Sequence, residues 1–140
     1  MSAEKKWEHF SHESDIGVRG YGPTLAEAFA MGGVALTNVI TNSQSIQPHK
    51  RLHVTCEAPN QEILFVDWLN AIIYNMAIYN MLFSRFEVSI KEGRLTAIIA
   101  GEQVDIKRHQ PAVEVKGATF TELKVYQGNG IWVAQCVVDV

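Results

Sequence analysis

The sequence predicts an α+β fold, a two-layer sandwich in which a mostly antiparallel sheet carries two main helices packed on it. Three observations lead there. Two segments, one after Thr24 and one after Asn60, hold apolar residues at the density and the three-and-four spacing of helices lying on a core. Most of the remaining chain alternates apolar and polar residues, the period of strands with one wet face. The β-like runs also follow one another through short turn signals, which is hairpin connectivity and hence antiparallel pairing.

Taken in order, the stretch HESDIGVRGYG opens with His12 and Asp15 and carries three glycines, Gly17, Gly20 and Gly22. Ile16 and Val18 alternate with Gly17 and Arg19, as in a short half-exposed strand, and the glycines are expected to let it turn tightly toward the next helix. Thr24 and Glu27 form a capping-box pair, so that helix begins there. It runs to about Ile40 and buries Leu25, Ala28, Phe29, Gly32, Ala35, Leu36 and Val39. Residues 41–50 read as a loop. RLHVTCEA, residues 51–58, alternates Leu52, Val54 and Cys56 against Arg51, His53, Thr55 and Glu57, a strand with His53 on its wet face.

Asn60 can cap a second helix extending through Phe83. Asp67, Asn70, Asn75 and Asn80 interrupt its apolar run, which argues for a helix buried against a sheet rather than a membrane span. Asp67, Asn70 and Tyr74 share one polar stripe, expected to face solvent. Residues 85–105 read as two strands joined at Glu92 and Gly93. AVEVKGA, ELKVYQ and GIWVAQCVVDV complete the strands, with a hairpin turn at QGNG, residues 127–130.

Composition narrows the function. With 140 residues, 47% hydrophobic and 19% charged, and no linker-like tract, residues 1–140 are expected to form one domain, with disorder confined to the first few residues. A net charge of −3 argues against a surface that neutralises many phosphates, so any role with RNA is indirect or local. The start of the chain has no apolar signal region and no lipidation motif, and the protein is expected to be cytoplasmic, with no membrane partner. Cys56 and Cys136 lack zinc or redox spacing and read as buried free thiols. No P-loop, nucleophile elbow or dinucleotide fingerprint is present, so no self-contained catalysis is visible.

The residues left to carry chemistry lie near the two ends of the chain. If the first strand lies beside the last, Asp15 meets Asp139 and, where the native chain ends at Val140, a free α-carboxylate. Carboxylates held so close repel one another unless a cation neutralises them, and oxygen-only ligands suit a hard ion. Such a set suits a divalent metal such as calcium or magnesium, with manganese as an alternative, against the plainer reading of two aspartates solvated at strand ends. His12 offers a nitrogen ligand or proton-transfer group against the plainer reading of a hydrogen-bonded or exposed histidine. His109 closes the small basic cluster KRH, which reads as a solvated loop able to meet phosphate or a carboxylate. Lys116 sits before Gly117, where a strand lysine ordinarily points to water.

Together HESDIGVRGYG, TLAEAF, LFVDWLNAIIY, GEQVDIKRH, VKGATF and the terminal VVDV, in this order and at similar spacing over nearly the whole chain, resemble the archease family. The resemblance implies a small two-layer protein that is an accessory factor, not an enzyme. Its partner would be the GTP-dependent RNA-splicing ligase, which joins 2′,3′-cyclic phosphate or 3′-phosphate ends to 5′-hydroxyl ends in tRNA splicing or RNA repair. It would promote guanylylation of the ligase and its multiple turnover, with GTP bound by the ligase and RNA met only through it. By the same resemblance, Asp15, Asp139 and Val140 match metal-binding positions, and Lys116 a lysine needed for ligase activation together with Asp15 and Asp139. His12 and His109 match possible auxiliary positions. The chain departs from the family where it reads Glu13-Ser14 for a frequent Thr-Ala, Gly117 for a frequent Ala, and Thr121 for a frequent His. Two other readings are a chaperone or specificity modulator of another RNA-modifying enzyme and a stand-alone metal-dependent phosphoesterase.

Overall fold

Every strand pairing in the computed structural model, which describes residues 4–140, is antiparallel. In chain order the elements are β1 (Lys6–His12), β2 (Asp15–Gly22), α1 (Leu25–Ile40), β3 (Lys50–Glu57), α2 (Gln61–Tyr79), β4 (Met81–Lys91), β5 (Arg94–Gln103), α3 (Ile106–His109), β6 (Gly117–Ala118), β7 (Lys124–Gly128) and β8 (Ile131–Asp139). The α+β sandwich stands, but the strands divide between two sheets instead of forming one. A five-stranded sheet runs β1-β2-β8-β6, with β7 also paired to β8, and a three-stranded sheet runs β3-β5-β4. The disorder expected at the start of the chain falls partly on residues 1–3, which lie outside the described residues.

Helix α1 starts as its sequence dictates. The Thr24 hydroxyl oxygen accepts the Glu27 N–H at 3.1 Å, and the Thr24 O–H donates to the Glu27 carboxylate at 3.0 Å. The helix packs on β2 and on β4, so it ties the two sheets together. Close approach to β2 depends on glycine: a Cβ on Gly20 would lie 2.2 Å from the Ala28 carbonyl oxygen and 2.4 Å from the Gly32 nitrogen. Gly17 instead lies beneath the Phe10 ring, its cross-strand partner. The glycines of this stretch thus serve the close packing of β2 against α1 and β1, and none of them takes the positive φ that the tight-turn role expected of them would use.

Helix α2 is fixed to α1 by Trp68, which is fully buried and donates its indole N–H to the Phe29 carbonyl at 2.8 Å. Phe29 and Phe65 meet edge-on at 5.0 Å beside it. The helix ends at Tyr79, not at Phe83, because Asn80 adopts a left-handed conformation with φ of 52° and donates its N–H to Met76. Met81, Leu82 and Phe83 belong to β4. Within β4 the register slips between Phe83 and Arg85, leaving Ser84 as a bulge whose hydroxyl donates to the Ile46 carbonyl at 2.9 Å.

Strand β1 was not legible as a strand, and it supplies the outer edge of the larger sheet. Its hairpin to β2 turns at Glu13 and Ser14, with Glu13 at φ of 54°. The expected strand AVEVKGA is reduced to Gly117 and Ala118; the residues before it form a strap from α3 to β6. Cys136 is buried and Cys56 half-buried, both free. Burial pushes their thiols up to about 12 and about 11, so neither is a thiolate at neutral pH.

Candidate functional site

Four strands of the larger sheet end in one row. His12 pairs with Asp15 across β1 and β2, and Gly117 pairs with Asp139 across β6 and β8. The ladder between β2 and β8 reaches Ile16 and Val138, which sets Asp15 across from Asp139 at the next step. Residues directly opposite on neighbouring strands project to the same face, so His12, Asp15 and Asp139 share one face at the end of the sheet. The Val140 N–H reaches the Asp15 Oδ1 at 3.5 Å, and the Val140 side chain packs on the core. Asp15 and Val140, 125 residues apart in the sequence, therefore meet.

Asp139 is exposed, while His12, Asp15 and Val140 are half-buried. Among the described residues neither aspartate makes an ion pair. No three His, Cys, Asp or Glu side chains gather there closely enough to hold a metal ion. The row offers two carboxylate side chains, and a third hard donor would have to be a main-chain oxygen of Val140. Such a donor set fits a hard divalent ion and not a soft one.

Lys116 joins the row by its backbone: its N–H donates to the Asp139 carbonyl at 2.7 Å. Its side chain is exposed, lines a groove against α2, and has no ion-pair partner among the described residues. The next residues are held as firmly. Ala118 donates its N–H to the Asn70 Oδ1 at 2.9 Å, and the Thr119 hydroxyl donates to the Val137 carbonyl at 2.8 Å. Asn70 is thus turned toward β6, which corrects the expectation of a stripe wholly facing solvent; Asp67 and Tyr74 are exposed as expected. Spacing alone could not separate Asn70 from its neighbours on that stripe. Thr121 is exposed and engages through its backbone, accepting from the Val137 N–H at 3.0 Å.

His109 lies elsewhere. It is buried in α3 and not in a solvated loop, because the basic cluster folds back on β5. Its Nδ1 accepts the Asp105 N–H at 2.9 Å, which leaves the proton on Nε2 to be donated to Glu102 at 3.0 Å. Arg108 pairs with the same carboxylate at 2.8 Å, and none of these partners belongs to the strand-end row. The Arg108 guanidinium first, with the Gln47 N–H and His109, holds the Glu102 carboxyl down at about 2 against the opposing effect of burial. Phe120, one residue beyond Thr119, is an exposed aromatic with no periodicity in the sequence to mark it.

The sequence profile of the Archease protein family matches residues 7–140. The chain belongs to the archease family. Protein archease of Pyrococcus furiosus is 36% identical over 141 residues, covering 97% of this chain and 99% of its own. That of Thermococcus kodakarensis is 33% identical with the same coverage. Among solved archease structures, that of Methanobacterium thermoautotrophicum protein 1598 superposes with a TM-score of 0.80 at 28% identity, over 96% of this chain and 98% of its own. The Thermotoga maritima archease, described as a possible chaperone, has a TM-score of 0.59 at 15% identity, over 95% and 96%, and speaks to the fold alone. The α+β sandwich that the archease resemblance implied is the one observed. Among the described residues, no helix is long and apolar enough to cross a membrane.

Proposed function

We propose that this archease is an accessory protein of the GTP-dependent RNA-splicing ligase, acting in the cytoplasm to promote guanylylation and repeated turnover of that enzyme. The observation that carries this reading is the strand-end row. Two aspartates without ion-pair partners among the described residues stand together at the end of a sheet, with Lys116 tied to the same strand by its main chain. A rigid sheet end is suited to presenting charge at another protein's nucleotide site, where fixed charges act without reorganising.

Asp15, Asp139 and the main-chain oxygens of Val140 would hold a divalent ion, calcium foremost, with magnesium or manganese as alternatives. A bound ion would supply positive charge that phosphate oxygens can meet. The protein's own groups do the rest. Asp15 fixes the chain end through the Val140 N–H, and the Lys116–Asp139 main-chain bond holds the strap against β8. The Lys116 ammonium is available to a phosphate or a ligase carboxylate. RNA contacts and GTP stay with the ligase, and this protein catalyses no step by itself.

The test is the rate at which purified ligase becomes guanylylated by GTP, with and without this protein. Acceleration by the wild-type chain, lost in Lys116→Ala with folding intact, is the expected result. An equal rate with and without the protein contradicts the proposal.

A further inference from the structure

Beside the strand-end row, an apolar groove of about 410 Å³ lies between the second half of α2 and the strap at residues 111–116. Ile73, Met76, Met81 and Val115 line its apolar wall, and Ala77, Pro111, Val113, Glu114 and Lys116 are its exposed lining residues. Unbranched methionines adapt to a foreign side chain better than branched residues do.

The surroundings of the groove are apolar as well. Tyr74 and Ile78, one turn apart on α2 and flanking its lining residues, are 62% and 51% exposed, and Phe120 beyond Asn70 is 69% exposed. Of the eight large apolar side chains exposed among the described residues, five (Tyr74, Ile78, Tyr79, Val113 and Phe120) fall on the second half of α2 and on residues 113–120. Such concentration on one side marks an interaction surface rather than scattered exposure.

We propose that this groove docks a segment of the protein partner that presents one apolar anchor side chain with a single carboxylate beside it. The inference rests on the reading of the ligase as partner, and adds where and by what chemistry it is gripped. Continuity carries it. Lys116 lines the groove with its side chain and is bonded to Asp139 by its backbone, so a protein seated on the strand-end row extends over the groove. Charge selects the segment: neither Lys116 nor Glu114 has an ion-pair partner among the described residues. One carboxylate satisfies Lys116, while a run of acidic residues would be repelled by Glu114. An apolar anchor buried in a pocket with a charged rim is the usual make-up of a binding hot spot.

Ala77→Arg and Val113→Glu alter exposed lining positions, so the fold should tolerate them, and a thermal melt checks that it does. Affinity for purified ligase is measured by calorimetry, and guanylylation is followed at saturating protein. The expected result is at least tenfold weaker binding for each variant, with full activation recovered at saturation, whereas Asp15→Ala binds but does not activate. Wild-type affinity in both groove variants overturns the groove assignment and leaves the activator reading standing. Absence of any binding by the wild-type chain overturns both. A dimer in sedimentation that Ala77→Arg dissociates, with ligase affinity unchanged, makes a second copy the occupant and overturns the assignment as well. Should one variant fail to fold, the other decides.

Discussion

A methyl group on Gly20 has no room, since the backbone of α1 stands 2.2 Å from where it would sit and cannot swing aside. Gly20→Ala should therefore destabilise the fold by about 1–3 kcal/mol in a urea titration, the usual range for overpacking. At Gly17 the nearest obstacle to a methyl group is the Phe10 ring, a side chain that can move, and Gly17→Ala should cost less. The spacing of these glycines was plain in the sequence, but their reason depends on a helix that packs back from outside the strand. Asn70 and His109 are similar cases: residue type and position were visible, while the partners that fix them lie on other elements, Ala118 on β6, 48 residues from Asn70, and Glu102 on β5, just before the turn into α3. Glu102 carries a pH prediction. Its carboxyl falls from 4.5 to about 2 on folding, so it stabilises the fold fully above about 4.5, and that contribution is lost as pH drops toward about 2. Between about pH 6 and about pH 3, the urea midpoint of Glu102→Gln should therefore fall less than that of the wild type. An equal fall in both would show that Glu102 contributes nothing to acid sensitivity.

At the level of elements, local chemistry was the most legible. The caps at Thr24 and Asn60 form as their sequences indicate, with the Asn60 side chain accepting the Ile63 N–H at 2.9 Å. The hairpin at Glu92 and Gly93 was equally readable: both residues have positive φ, 53° and 77°, the pattern of a type I′ turn. A glutamate is poorly suited to that conformation, and Glu92→Asn should raise stability by roughly 0.5–1 kcal/mol, seen as a higher melting temperature. What failed to show was any boundary without its own signal. Between α2 and β4 the chain stays apolar, and only Asn80, which bends into the left-handed region, separates them. Strand β1 has no local signal, because its turn puts a glutamate, Glu13, at positive φ where Asn or Gly is usual, and because Lys6–His12 does not alternate apolar and polar residues.

Across the whole molecule, the topology does what no local pattern can: β8, last in sequence, is inserted between β2 and the β6/β7 edge, so the chain end arrives beside Asp15. The juxtaposition of Asp15, Asp139 and Val140 was conceivable from the sequence only on condition that first and last strands are neighbours. The groove on α2 was not legible at all, because it needs the strap at 111–116, which read as a strand. If the strand-end row is the working part, removing its carboxylates should abolish function: Asp139 is exposed and makes no ion pair among the described residues, so what the fold loses with the chain end is the Val140 side chain packed on the core and the carbonyl that accepts the Lys116 N–H. The direct measurement is guanylylation of the ligase by GTP in the presence of the wild-type chain, Asp15→Ala, and a chain lacking Asp139 and Val140, each shown by its melting curve to be folded. Acceleration by the wild type and at least a tenfold loss of it in both altered chains is the predicted result. Undiminished acceleration by the altered chains would contradict the account.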